Sequence, residues 1–393
     1  MLFMEKLVII KIEKQPLKKS KRKRWVFMDC LAFAPVVFVI GKDYEIGVFA
    51  KENGLIWVEI DGVKYYEENS GALSTEKRFT KIRISQEILN TAKAYTVVYR
   101  KTIDRKAYYS ELGEEERKVY AFKPIEKTDN INAYHIADVH YRFALAKQTA
   151  RFFGDDLDLF IVNGDIGEVE TYQNYEEVYE FMADITGGEI PVLFVRGNHD
   201  TRGKLAEKFS EYYPCENKKH YFPFEIGCLN GVALDCGEDK WDNCKEYGGV
   251  NDFEGYRKGE SAFLEALQLD QNKINFVVSH VCPSQTTLSN PLFAIETDRY
   301  TAWNEEFKRL GVKFMICGHM HRAYMLTPYD EKCTAKNNSY PVAVASACYE
   351  DDLWGGAFVI GKESLTVAFT DKNCVEREKY SVDYKTGNVE RLF

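Results

Sequence analysis

The stretch that most restricts what this chain can fold into is Pro191-Val192-Leu193-Phe194-Val195-Arg196-Gly197-Asn198-His199-Asp200. Its first five residues form an almost unbroken apolar run, as a strand covered on both faces requires. Gly197 then supplies a turn, and an amide, an imidazole and a carboxylate follow in consecutive positions. Polar groups set just past the carboxyl end of such a strand stand where open α/β sheets build their sites. Alone this is weak evidence, because an Asx-type turn after a strand is common. Its weight comes from its company. Asp138-Val139-His140, Gly164-Asp165, His280 and Gly318-His319-Met320-His321 each follow a strand-like apolar run of their own.

Around these runs the chain reads as strand, loop, helix, repeated. Strands are predicted at Ala133 to Ala137, Asp158 to Asn163, Asn275 to Ser279 and Lys313 to Cys317, and helices from Arg142 to Phe153, Tyr175 to Ile185, about Gly203 to Tyr213, Glu260 to Leu269 and near Arg299 to Leu310. Strands close the chain, which implies α/β layers with helices outside and sheets within. The region 25–125 has another rhythm. Short runs such as Tyr44 to Phe49, Ile56 to Ile60, Phe79 to Ile84 and Ala94 to Tyr99 are separated by turn signals, Asp61-Gly62 among them. About seven such strands predict an antiparallel β-sandwich of fibronectin or immunoglobulin type. The expected division is therefore a segment 1–24, a sandwich over 25–125 and a catalytic α/β region over 126–393. The basic run at 18–24 reads as a solvated connector. The aperiodic stretch 237–258 is expected to wall a site, since long loops inside compact domains are usually functional or disordered.

Composition excludes several classes. No tract is long enough to cross a bilayer, and Leu7-Val8-Ile9-Ile10 has no cleavage site after it, so neither a membrane span nor a secretory signal is expected. Ten cysteines without Cys-x-x-Cys spacing then read as reduced thiols in a cytoplasmic protein. Of 52 Lys+Arg and 61 Asp+Glu, residues 1–125 hold 24 and 17, leaving 28 and 44 for the remainder, a balance of −16. Such an acidic region is a poor footprint for long nucleic acid.

Five of the seven histidines, 140, 199, 280, 319 and 321, fall in the loops named above. Singly, Asp138 or Asp165 is more often a cap or turn former, Asn198 an Asx turn and His280 a satisfied core histidine. Together at successive strand ends they read as metal ligands. In order and composition the set resembles the calcineurin-like metallophosphoesterase superfamily over residues 132–325. The resemblance implies a four-layer αββα fold behind the β-sandwich, which purple acid phosphatases also carry.

It also implies two transition-metal ions (Mn, Fe or Zn), one held by Asp138, His140, Asp165 and His321, the other by Asp165, Asn198, His280 and His319. The implied reaction is hydrolysis of a phosphomonoester or phosphodiester by a metal-bridging hydroxide. His199 would serve the leaving oxygen, with Asp200 orienting it. Arg202 reads first as an ion pair and second as a phosphate ligand. Gly164-Asp165-Ile166-Gly167-Glu168 lacks the tyrosine ligand of purple acid phosphatases and the Asp-Arg-Gly of protein Ser/Thr phosphatases, which leaves a generic branch. A small phosphoester is the expected substrate, and Trp241, Tyr247, Phe253 and Tyr256 are expected to line the cleft. The rival readings are a nuclease of the same superfamily and a metal-binding scaffold without activity.

Overall fold

The computed structural model describes residues 30–283 and 295–393; the basic run at 18–24 lies outside them. Strands Ile131–Ile136, Leu159–Asn163 and Pro191–Val195 lie parallel and adjacent. The last two are buried at every position, which is why they read as continuous apolar runs rather than alternating ones. Leu193 and Val195 face an inner core with Phe276 and Ile316. Val192 and Phe194 face outward, against Tyr179 and Met182 of helix Tyr172–Thr186. Each such side chain removed from water stabilises the fold by roughly 1.5–3 kcal/mol.

A second set, Leu229–Leu234, Ile274–Ser279, Phe314–Cys317 and Val342–Cys348, is also parallel. Its outer face packs Val277 and Met315 against Leu264 of helix Phe253–Ala266 and Trp303 and Phe307 of helix Thr297–Arg309. The layers therefore run helix, sheet, sheet, helix, as expected. The two sheets are joined where Val342–Cys348 pairs with Leu353–Ile360.

The N-terminal β region is antiparallel within itself but not separate from the rest. Strand Val36–Ile40 pairs parallel with Pro191–Val195, with Val37 opposite Pro191 and Phe38 opposite Val192. Asp43–Phe49 and Phe79–Ser85 then continue the same sheet. Five further strands, Gly54–Ile60, Val63–Tyr65, Ala94–Arg105, Ser110–Leu112 and Glu116–Ala121, form the opposing sheet. The Asp61-Gly62 hairpin turn is present, both residues having positive φ. Ile56, Val58 and Val97 share one continuous core with Leu193 and Phe276. At Gly47 a Cβ would stand 2.5 Å from the Tyr179 ring, so only glycine lets this sheet and helix Tyr172–Thr186 approach so closely.

Some elements differ from expectation for local reasons. The helix after Arg142 spans only Phe143–Thr149, where the Thr149 hydroxyl is drawn to the carbonyls of Leu145 and Leu353. The helix expected near 203–213 is reduced to a turn at Ala206–Lys208 and four residues, Phe209–Tyr212, because Pro214 holds Tyr213 extended. Helix Phe253–Ala266 starts inside the stretch read as loop, capped by the Asp252 carboxylate on Gly255 N. Helix Gln86–Ala92 lies within the β-rich region. Among the described residues no helix is long and apolar enough to cross a membrane, and all ten cysteines carry free thiols.

Candidate metal centre

The candidate loops leave the carboxyl ends of parallel strands from both sheets, and the sheet packing brings them to one edge. Asp138, Asp165 and Asn198 come from the first sheet, His280 and His319 from the second. The backbone there is held in a rare conformation. Asp138, His140, Asp165, His319 and His321 all have φ between +44° and +68°. Non-glycine residues in this region cost about 1–3 kcal/mol each and persist where the surroundings impose them. Here the imposition is visible. Arg142 donates to the Asp138 and Val139 carbonyls, Ser346 to Ala137 O and Cys348 to Asp138 O. Gly164 and Gly197 make the crossing of two loops possible, since a Cβ on Gly197 would lie 2.2 Å from Asp165 Oδ1 and one on Gly164 2.4 Å from the Gly197 backbone.

Two groups of lone-pair donors result. Asp138, His140 and His321 place ligand atoms within 4.8 Å of one another, and so do Asp165, His280 and His319. In the first, His321 Nε2 lies 3.2 Å from Asp138 Oδ1 and 3.3 Å from His140 Nε2. In the second, His280 Nε2 lies 3.1 Å from Asp165 Oδ2. His280 Nε2 is also 3.8 Å from Asp138 Oδ1, so the groups adjoin. Its Nδ1 contacts the Asn163 carbonyl at 2.6 Å, which puts a proton on Nδ1 and frees Nε2 to act as a ligand.

The donor set fits cations. Asp138 Oδ1 is buried with no aligned hydrogen bond, only the ion-pair contact with His321 Nε2 at 3.2 Å, a costly state for a carboxylate unless a further cation is meant to meet it. One carboxamide atom of Asn198 stands 3.1 Å from His319 Nδ1, 3.2 Å from His280 Nε2 and 3.3 Å from Asp165 Oδ2. With nitrogen there, its two N–H groups can serve His319 Nδ1 and Asp165 Oδ2; with oxygen there, four lone-pair donors face one another, the arrangement of a ligand cage.

The electrostatics say the same. Burial favours the neutral form of Asp138 and Asp165, yet His280 and its neighbours hold both carboxyls below their usual range. Burial works against the charge of His280, but Asp165 and Asp138 raise it to about 10, so in the metal-free protein a proton there offsets the carboxylates. Burial lowers His140 and His319. Asp138 raises His321.

The remaining expectations are redistributed. The His199 backbone N–H donates to Asp165 Oδ1 at 2.8 Å, its ring meets His140 edge to face, and Arg202 Nη1 is 3.4 Å from its Nε2. Asp200, expected to orient that imidazole, instead accepts from Gly197 N and Asp165 N and so ties the two ligand loops together. Burial, then the charge of Asp165, pushes its carboxyl up to about 7. Arg202 forms the expected ion pair, forked onto the buried Glu238 at 2.6 and 2.8 Å. Of the four aromatics expected to line the cleft, Tyr247 is bound to Glu238, Phe253 packs on Gly237 and Tyr256 hydrogen-bonds Asp235, whereas Trp241 is exposed. Sequence reasoning missed Glu238 and Asp239, whose only sequence signal was membership of the aperiodic stretch. His135 and His220 are core histidines bonded to the carbonyls of Ala345 and Pro214.

Fold and donor set together define a metallophosphoesterase. Residues 131–323, just under half of the chain, match the calcineurin-like phosphoesterase family, so the chain carries a metallophosphoesterase domain, that of a metal-dependent phosphoric ester hydrolase. Among solved structures, the purple acid phosphatase PPD1 from seeds of yellow lupin (Lupinus luteus) superposes with a TM-score of 0.59 at 12% identity, over 90% of this chain and 76% of that one. PhoD superposes at 0.57 and 9% identity, over 96% and 94%. At these identities the likeness is one of fold, and it extends through the N-terminal β region. No curated protein matches the chain by sequence.

Proposed function

We propose that the chain hydrolyses a small phosphomonoester or phosphodiester with two metal ions, one held by Asp138, His140, Asp165 and His321, the other by Asp165, Asn198, His280 and His319. The observation that supports this reading is the pair of adjoining donor groups, which meet where His280 Nε2 lies 3.1 Å from Asp165 Oδ2 and 3.8 Å from Asp138 Oδ1. When bound, such ions polarise phosphoryl oxygens and lower the pKa of water from 15.7 toward about 7. Two carboxylates among seven ligands leave a net positive field for the substrate phosphate and for charge that develops on its oxygens.

His199 stands beside both donor groups, where it can hydrogen-bond the phosphoryl or leaving oxygen, and Arg202 steadies its ring. The exposed Trp241, in the stretch expected to wall the cleft, would offer a planar surface to the ester's organic group. The balance of 28 Lys+Arg against 44 Asp+Glu in residues 126–393 disfavours long nucleic acid. Free thiols throughout fit a reducing compartment, and the cytoplasm is the proposed location.

The test combines metal analysis of the purified protein with hydrolysis of aryl phosphomonoester, aryl phosphodiester and long DNA or RNA after loading with Mn, Fe or Zn. About two ions per chain and chelator-sensitive cleavage of an aryl ester are expected. Absence of both metal and activity defeats the proposal. Degradation of polynucleotide with the aryl esters untouched moves the protein to the nuclease reading.

A further inference from the structure

Asp239 stands against the metal centre. It is buried, and its Oδ2 lies 3.6 Å from His319 Nε2. Its other oxygen is engaged by Lys240 Nζ at 2.9 Å, the Tyr247 hydroxyl at 3.4 Å and Arg202 Nη2 at 3.7 Å. Lys240 donates to this oxygen and the Arg202 charge stands behind it, while the Tyr247 hydroxyl gives its one proton to Glu238; the second oxygen is left facing the imidazole. The neighbouring Glu238 reinforces this by clamping Arg202 and accepting from Tyr247. Across the His319 ring, Nδ1 lies 3.1 Å from the Asn198 carboxamide, on the side where His280 and Asp165 converge.

An imidazole that gives its Nδ1 lone pair to a cation keeps its proton on Nε2, and a buried N–H needs an acceptor. We propose that Asp239 is that acceptor, a positioning residue that fixes the tautomer and rotation of His319 and so the strength of the ion site shared by Asp165, Asn198, His280 and His319. This rests on the two-ion reading above. A closure of a few tenths of an ångström brings the pair from 3.6 Å to ordinary hydrogen-bond distance. The stretch 237–252 thereby belongs to the metal centre, tied to it by a carboxylate rather than merely lying over it.

The experiment compares the full chain with Asp239→Asn, Asp239→Glu and Asp242→Asn. Asp242 accepts from Phe253 N and Glu254 N, so its variant loosens the same stretch without touching His319. Each protein is stripped of metal and titrated with Zn or Mn in competition with a chromophoric chelator. Asp239→Asn is expected to weaken one of two ions by about 10–100-fold and leave the other unchanged. Asp239→Glu restores part of that loss, and Asp242→Asn leaves both ions in place. Unchanged affinities in Asp239→Asn, equal loss of both ions, no recovery in Asp239→Glu, or the same defect in Asp242→Asn each overturn the inference. A parent chain that binds no ion overturns the two-ion reading and this inference with it, whereas a two-ion parent with an indifferent Asp239→Asn overturns this inference alone.

Discussion

The two donor groups sit side by side but at different depths. Asp165 and His280 are buried and His319 half-buried, whereas Asp138 is buried, His140 half-buried and His321 exposed. The inner group is held by strand ends of both sheets and by the Asn163 carbonyl behind His280. The outer group depends on the His321 loop, whose side chain is 49% exposed. The difference teaches that packing alone preorganises the inner pocket, while the outer one leans more on the ion it would hold.

Asp165→Asn should erase the distinction if, as proposed, this carboxylate serves both ion sites: both ions are lost and kcat/KM falls on the order of 10³-fold or more. Metal analysis beside kinetics checks it, and full retention of one ion would show the pockets to be independent. Next in size, His199→Ala should keep both ions and lower kcat by about 10²–10⁴-fold. Loss of metal in that variant would make His199 a ligand and break the two-group description.

His280→Ala and His321→Ala separate the pockets directly. In metal-free protein the first leaves Asp138 and Asp165 buried without their main counter-charge, a cost of about 3–5 kcal/mol. His321→Ala, at the exposed rim, should cost about 1 kcal/mol or less. Equal losses in denaturant melts would sink the comparison.

The smallest effect concerns pH. His280 titrates near 10 when folded, from an ordinary value of 6.5, so its stabilising proton is fully present below 6.5 and lost as pH rises toward 10. Burial lowers His135 to about 4, and its contribution has the opposite sign but is complete by pH 6.5. Chelated protein should therefore melt progressively lower from pH 7 to 9, and added metal, which replaces that proton, should flatten the slope. A chelated protein whose melting temperature is level over this range would refute it.

The buried strands and the edge where the loops gather were readable because parallel strands buried on both faces leave unbroken apolar runs, and polar residues gathered at the ends of several of them point to one site. Asp138, Asp165, Asn198, His280, His319 and His321 announced themselves by position after such runs. Asp239 did not, because its place is set by Lys240, Tyr247 and Arg202, contacts between side chains with no period to reveal them. Asp200 was misassigned for a related reason. Adjacency to His199 in sequence suggested a partner, whereas a turn directs its carboxylate to the backbone of Gly197 and Asp165. The helix Phe253–Ala266 was hidden by two glycines in its first half, which dilute helical propensity until Asp252 caps it.

The parallel pairing of Val36–Ile40 with Pro191–Val195 turns the N-terminal region into a splint. Asn198 and His199 ride on the tip of the splinted strand, three and four residues past its end. Cutting the chain at about residue 125 would leave that rod bare along one side, with unsatisfied amides open to any other strand in solution. The excised phosphoesterase half would thus be prone to stick to itself, and the strand that carries Asn198 and His199 would lose the neighbour paired to its start.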